Sequence, residues 1–261
     1  LEKFWTSLSG PSWNYTTMGV CIKELGESSF GDTTWSFTKS ISGDYMIDPC
    51  GTTVPKSQFR GLSCACNSTV CNVTSIETPC GKLSGQLPPD LSAIVNLQSL
   101  TLHHNDIGGP LQIKNMQSLT FLYINYNKFN GQIPNYFPIS MKNIYMSDNK
   151  FTGTIPSSIG YLTNLLELNL GDNIGLVGNI PNTFINLKKL QLFNAYDCSF
   201  SGSLPTILGD MIQLQILNLH NNQFQSQLPS SLGLLTNLKY MKICGNLITG
   251  TIPNTFINLI N

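Results

Sequence analysis

The sequence predicts a solenoid, a chain wound into stacked turns that each contribute a short strand, and three observations predict it. First, one pattern recurs from Val73 onward, with starts at Val73, Leu97, Leu119, Met141, Leu165, Leu190, Leu214 and Leu238 and lengths of 24, 22, 22, 24, 25, 24, 24 and 24 residues. A nearly fixed period of this size means units that bury their apolar side only against their neighbours. Second, each repeat opens on alternating apolar residues, as in Met141, Ile144 and Met146. Third, the ninth position reads Gly81, Asn105, Asn127, Asn149, Asn173, Cys198, Asn222 and Asn246, so six of eight are Asn.

Each part of the repeat has a physical reason. In Met141–Asn164 the opening residues are spaced as a strand with one face buried, because alternate strand residues point to opposite sides. Asn149 then offers a short amide that can hydrogen-bond the backbone of neighbouring turns, groups that a solenoid would otherwise bury unpaired. Phe151, Ile155, Ile159 and Leu162 bring the coil back through the core, and Gly153 and Pro156 punctuate a back side expected to be irregular.

Many repeats also close on a Gly-x-Ile-Pro pattern, as in Gly178-Asn-Ile-Pro181 and Gly250-Thr-Ile-Pro253. With that ending, residues 73–261 resemble the plant-type extracellular leucine-rich repeats of receptor ectodomains and polygalacturonase-inhibiting proteins, also found in protist surface proteins. The resemblance implies an α/β solenoid: a right-handed superhelix with a concave parallel β-sheet, 3₁₀ turns or short extra strands elsewhere, and a disulfide-rich N-terminal cap. Residues 1–72 lack the repeat. Leu1–Trp13, Asp48-Pro-Cys50 and Arg60-Gly-Leu-Ser-Cys64 are similar to the cap that precedes such repeats, with Phe59 where the family has Trp and Leu62 where it has Val. A short helix is expected over Leu1–Leu8, and the long interval from Trp13 to Cys50 reads as an insertion. A cap is needed because the first repeat would otherwise show an apolar edge to water.

Composition bounds the function. Charged residues make up only 11% of the chain and the formal net charge is zero, which argues against electrostatic capture of nucleic acid or anionic membrane. No apolar run reaches the roughly 18 residues that would span a bilayer. Cys21, Cys50, Cys64, Cys66, Cys71 and Cys80 crowd the cap, and an even cluster in a loop-rich segment reads as three disulfides rather than as zinc ligands, there being no CxxC and no nearby His. The resemblance implies Cys50–Cys64, and the other four allow three pairings. Sequons at Asn14, Asn67 and Asn72 agree with a secreted or cell-surface glycoprotein. Cys198 and Cys244 are expected to be unbonded, the first buried and the second an exposed thiol.

Positions three, five and seven should point outward from the concave face. They place Phe121, Tyr123 and Tyr145 in one aromatic patch, flanked by His103, His104 and Tyr126, with Tyr123 and Tyr145 one strand spacing apart at about 4.8 Å. Leu192, Ile216 and Tyr240 form an apolar stripe at position three, with Tyr196 beside it. Asp148, Asp172 and Asp197 share position eight, where stacked carboxylates could attract calcium or a basic group on a partner. His103 and His104, as adjacent strand residues, should project to opposite sides and chelate poorly together. No catalytic constellation emerges and no cofactor is implied. The reading is a non-enzymatic extracellular module that binds a protein, peptide or glycan on its concave face, as receptor, adhesion protein or inhibitor. The alternative is a matrix protein that self-associates end to end through its C-terminal edge, where Phe256, Ile257 and Leu259 should pack against a following turn.

Overall fold

The computed structural model describes residues 37–39, 45–47, 62–66, 71–79, 83–87 and 94–259, with the backbone alone for 37–39, 45–47, 62–66 and Cys71. The expected helix over Leu1–Leu8, the cysteines Cys21, Cys50 and Cys80, and the sequons at Asn14 and Asn67 lie outside the described residues. So do the side chains of Cys64, Cys66 and Cys71.

Two sheets run the length of the coil. The first contains β4 (Cys71–Glu77), β6 (Ser99–Thr101), β8 (Phe121–Tyr123), β10 (Asn143–Tyr145), β12 (Glu167–Asn169), β14 (Leu192–Asn194), β16 (Ile216–Asn218) and β18 (Tyr240–Lys242), each parallel to its neighbours. β3 (Leu62–Cys66) joins it antiparallel to β4, with Cys66 opposite Cys71 and a register shift at Ser63/Cys64. A hairpin, β1 (Phe37–Lys39) with β2 (Tyr45–Ile47), stands apart from both sheets. Register is uniform from repeat to repeat, so Ile76, Leu100, Leu122, Ile144, Leu168, Phe193 and Leu217 line one buried row. A one-residue slip would turn that row to solvent, which is why the register holds.

The Asn ladder closes the first turn of six coils. Asn149 Nδ2 donates to the carbonyls of Ile124, Met146 and Ser147 at 3.0, 3.2 and 3.0 Å, and its Oδ1 accepts from the Phe129 N–H at 2.9 Å. Asn105, Asn127, Asn173, Asn222 and Asn246 repeat the arrangement. Cys198 replaces the amide with a buried thiol directed at the carbonyls of Tyr196 and Leu170. With no amide oxygen above it, the Leu176 N–H turns back to Asn173 O at 2.9 Å in the 25-residue repeat, and Ile174 is pushed out to 77% exposure.

The back side is not irregular, as the Gly and Pro punctuation suggested. A second parallel sheet forms there from β5 (Ser84–Gln86), β7 (Asp106–Pro110), β9 (Lys128–Gln132), β11 (Lys150–Gly153), β13 (Gly175–Gly178), β15 (Ser199–Ser203), β17 (Gln223–Gln227) and β19 (Leu247–Thr249). The glycines end or bend these strands at positive φ, such as 80° at Gly153 and 82° at Gly178, a conformation open to Gly at little cost. From Ser157 onward 3₁₀ helices complete each coil, at Ser157–Tyr161, Asn182–Asn186, Thr206–Asp210, Ser230–Leu234 and Asn254–Leu259. The two 22-residue repeats have none after β7 or β9, because two residues fewer leave no room for that turn. Phe129, Phe151, Phe184, Phe193, Phe200 and Phe224 fill the space between the sheets.

Candidate functional site

The outward columns of the first sheet carry the candidate site. Tyr123 and Tyr145 are direct Cα partners on β8 and β10, and their rings lie 5.2 Å apart at 40°. Phe121 lies parallel to Tyr123 at 6.5 Å. All three are half-buried, so the patch is fixed by its neighbours and still open on one side.

The residue that orients it is Glu167, which the sequence reading did not single out. Its Oε2 accepts a hydrogen bond from Tyr145 OH at 2.6 Å and another from Asn143 Nδ2 at 2.6 Å. Burial and the Glu167 carboxylate together hold the Tyr145 hydroxyl well above the ordinary tyrosine range, and burial, with a smaller push from Glu167, raises Tyr123. The signal for Glu167 was present: it is the acid within a position-three column that otherwise runs Phe121, Asn143, Leu192, Ile216 and Tyr240 from β8 onward.

The flanking residues divide into two further groups. His104 and Tyr126 stack at 4.2 Å and 9°. The expectation that His103 and His104 point apart is corrected: β6 ends at Thr101, and His104 sits in a left-handed turn with φ 57°, which brings the two rings to 5.5 Å. Burial, then the neighbouring His104, lowers the His103 imidazole below its ordinary value. Further along, Tyr196 lies flat over Gly171, where any side chain would collide with its ring, and stacks on His220 at 5.2 Å. Burial and the nearby aspartates push the Tyr196 hydroxyl up to about 12. Leu192, Ile216 and Tyr240 do form a register-aligned column, half-buried for the first two and 48% exposed at Tyr240.

The position-eight aspartates owe their place to the backbone. Asp148, Asp172 and Asp197 have φ of 55°, 52° and 48°, a left-handed conformation that Asp and Asn tolerate better than most residues. Asp197 is occupied by Asn221 Nδ2 at 2.7 Å and His220 Nε2 at 3.4 Å. Burial raises the Asp148 carboxyl above its ordinary range, opposed by a hydrogen bond from Ser147 and reinforced by Asp172. Among the described residues no three His, Cys, Asp or Glu side chains converge on a point that could hold a metal ion. Cys198 is buried and free, and Cys244 is exposed and free. Asn72 is half-exposed on β4.

Comparison with known proteins follows the same geometry. Residues 118–138, 140–162, 213–235 and 237–259 match the family model described as Leucine Rich Repeat. The repeats are leucine-rich repeats, similar to those of plant receptor-like proteins and receptor ectodomains. Receptor-like protein kinase 7 of Arabidopsis thaliana is 36% identical over 182 residues, covering 67% of this chain and 18% of its own length. Receptor-like protein 39 of the same plant is 33% identical over 124 residues, 47% of this chain and 12% of its own. The chain thus spans less than a fifth of either relative. Among solved structures, the plant peptide hormone receptor RGFR1 in complex with RGF2 superimposes with a TM-score of 0.66 at 31% identity, over 72% of this chain and 30% of that one. The Arabidopsis receptor kinase HAESA ectodomain, in complex with an N-terminally extended IDA peptide hormone ligand, gives 0.68 at 26% identity, over 79% and 39%. Both solved structures are receptors in complex with their hormone ligands, and the chain shares their repeat architecture.

Proposed function

We propose that this chain is an extracellular or cell-surface recognition module whose concave sheet binds a peptide or an extended segment of a protein. The observation that carries the reading is the aromatic patch of Phe121, Tyr123 and Tyr145, in which Glu167 fixes Tyr145 and the rings fix one another, left open on one side. Aromatic anchors held in fixed orientation lose little conformational entropy on binding and offer a large contact area. The peptide complexes of RGFR1 and HAESA, proteins of the same architecture, support a peptide over a glycan as ligand. The half-exposed sequon at Asn72 and the cap cysteines support an extracellular setting.

The test is a double substitution, Tyr123→Ala with Tyr145→Ala, in a chain whose ligand has been captured from extracellular fluid. Removing two central anchors should weaken binding by a few kcal/mol, roughly 2–4, while the unfolding midpoint stays within a degree or two of the parent. An equal loss of folding stability would show that the tyrosines serve the sheet and not a ligand.

A further inference from the structure

We infer that the ligand of the concave face carries a basic side chain, lysine or arginine, flanked by apolar residues and seated on Glu167. The inference rests on the reading of the concave sheet as a peptide site and specifies what that site selects.

Both bonds that hold Glu167 arrive at one oxygen. Tyr145 OH and Asn143 Nδ2 each reach Oε2 at 2.6 Å, and among the described residues nothing bonds Oε1. The carboxylate is therefore locked in orientation with one oxygen still free to accept. A charge-assisted hydrogen bond is stronger than a neutral one because one or both partners are ionised, and a carboxylate already held in place loses little further rotamer freedom on accepting it.

Its position in the sheet sets what lies on either side. In the position-three column, register places Phe121 two strands before Glu167 and Leu192 one strand after it, with Ile216 and Tyr240 beyond. Glu167 is thus the charged break between the two apolar patches, separated from them by about 9.6 and 4.8 Å at the usual strand spacing. A segment lying across the strands would meet apolar surface, a carboxylate, and apolar surface again. The Tyr123 and Tyr145 rings beside that carboxylate add faces on which a cation is favoured.

Charge across the whole face agrees. In the outward columns at positions three, five, seven and eight, Glu77, Asp148, Glu167, Asp172 and Asp197 stand against Lys242 as the one permanent cation among the described residues. Yet the chain as a whole has equal numbers, 14 basic and 14 acidic. Lys142 and Lys239 stand at position two beside these columns, and with them counted the described face still carries five acids against three lysines, so it presents net negative charge to a partner. Such a face speeds encounter with a cationic ligand and discriminates against an acidic one.

The experiment selects from a displayed library of random decapeptides on the full chain and then titrates the selected peptides by calorimetry. The expected result is enrichment of peptides with Lys or Arg between apolar residues. Glu167→Gln keeps an acceptor for Tyr145 and Asn143 and should bind these peptides roughly tenfold or more weakly. Replacing the peptide's lysine by norleucine should cost the parent the same factor and cost Glu167→Gln nothing further. Selected peptides without a basic residue, or unchanged affinity in Glu167→Gln, overturn the inference while the peptide site stands. A library that yields no binder, or binders indifferent to Tyr123→Ala with Tyr145→Ala, overturns the peptide site itself and the inference with it.

Discussion

Asn149 shows how much a single side chain carries in this fold, since its four hydrogen bonds satisfy three carbonyls and one amide in two successive coils. Asn149→Ala would leave the Phe129 N–H without a partner in a place that water does not reach, and should cost roughly 2–4 kcal/mol. Urea unfolding followed by tryptophan and tyrosine emission would measure it, and faster exchange of the Phe129 amide would localise it. The ladder was legible in the sequence, because an Asn recurring at a fixed offset in a solenoid has few other uses. Cys198 is the exception that tests it. Its thiol is pushed up to about 12 from an ordinary value of 9.0, by burial first and by Asp172 and Asp197 in smaller part, against a backbone hydrogen bond at Asn173 that lowers it. Below about pH 9 the thiol is neutral whether the chain is folded or not, so its contribution is fully present. Between 9 and 12 only the unfolded chain releases the proton, so stability falls as pH rises through that window. At pH 8, iodoacetamide should label exposed Cys244 on the native chain and reach Cys198 only after unfolding, which mass spectrometry of the two peptides would read directly.

At the scale of elements, the spacing between coils is set by small residues as much as by large ones. Gly160, Gly209 and Gly233 sit at the same place in three of the 3₁₀ helices, and a Cβ on any of them would collide with Thr183, Ser231 or Thr255 of the next coil. Gly209→Val should therefore force two coils apart and cost about 1–3 kcal/mol, seen as a lowered unfolding midpoint. At the equivalent place in Asn182–Asn186 stands Ile185, 39% exposed, so that coil accommodates a side chain there. The strands of the first sheet were legible from the alternation of apolar residues. The second sheet was not legible in the residue pattern, although the resemblance implied short extra strands. Its strands carry Gly, Ser and Gln in place of a regular apolar pattern, and their pairing comes from stacking rather than from propensity. The turn at position eight escaped for a related reason: only the closed coil shows that His104, Tyr126 and the three aspartates share a left-handed backbone.

For the molecule as a whole, repetition concentrates both its strength and its exposure at predictable places. In the middle coils Leu122, Ile144, Leu168, Phe193 and Leu217 are fully buried, whereas Leu247, Ile252 and Ile257 of the last described coil are 62%, 72% and 71% exposed. A polypeptide of these 261 residues should associate through that surface at micromolar concentration and above. Light scattering would show a mass rising with concentration, and Ile252→Lys with Ile257→Lys should return it to the monomer value. If the parent chain stays monomeric across that range, the exposed coil is not a self-association face.

The sequence by itself determined the period, the strand faces, the ladder and the aromatic patch, because each depends on spacings that a coil of fixed length converts directly into neighbours. It determined the pairing of Tyr123 with Tyr145 for the same reason, since both stand at position five of successive repeats. Only the tertiary structure decided how Glu167 is used. A glutamate at position three could have pointed to solvent, and nothing in its own repeat says otherwise. Two residues of the preceding strand, Asn143 and Tyr145, reach across one strand spacing to fix it, and they leave one oxygen free. That choice lies in side-chain directions between neighbouring coils, which spacing along the chain does not encode.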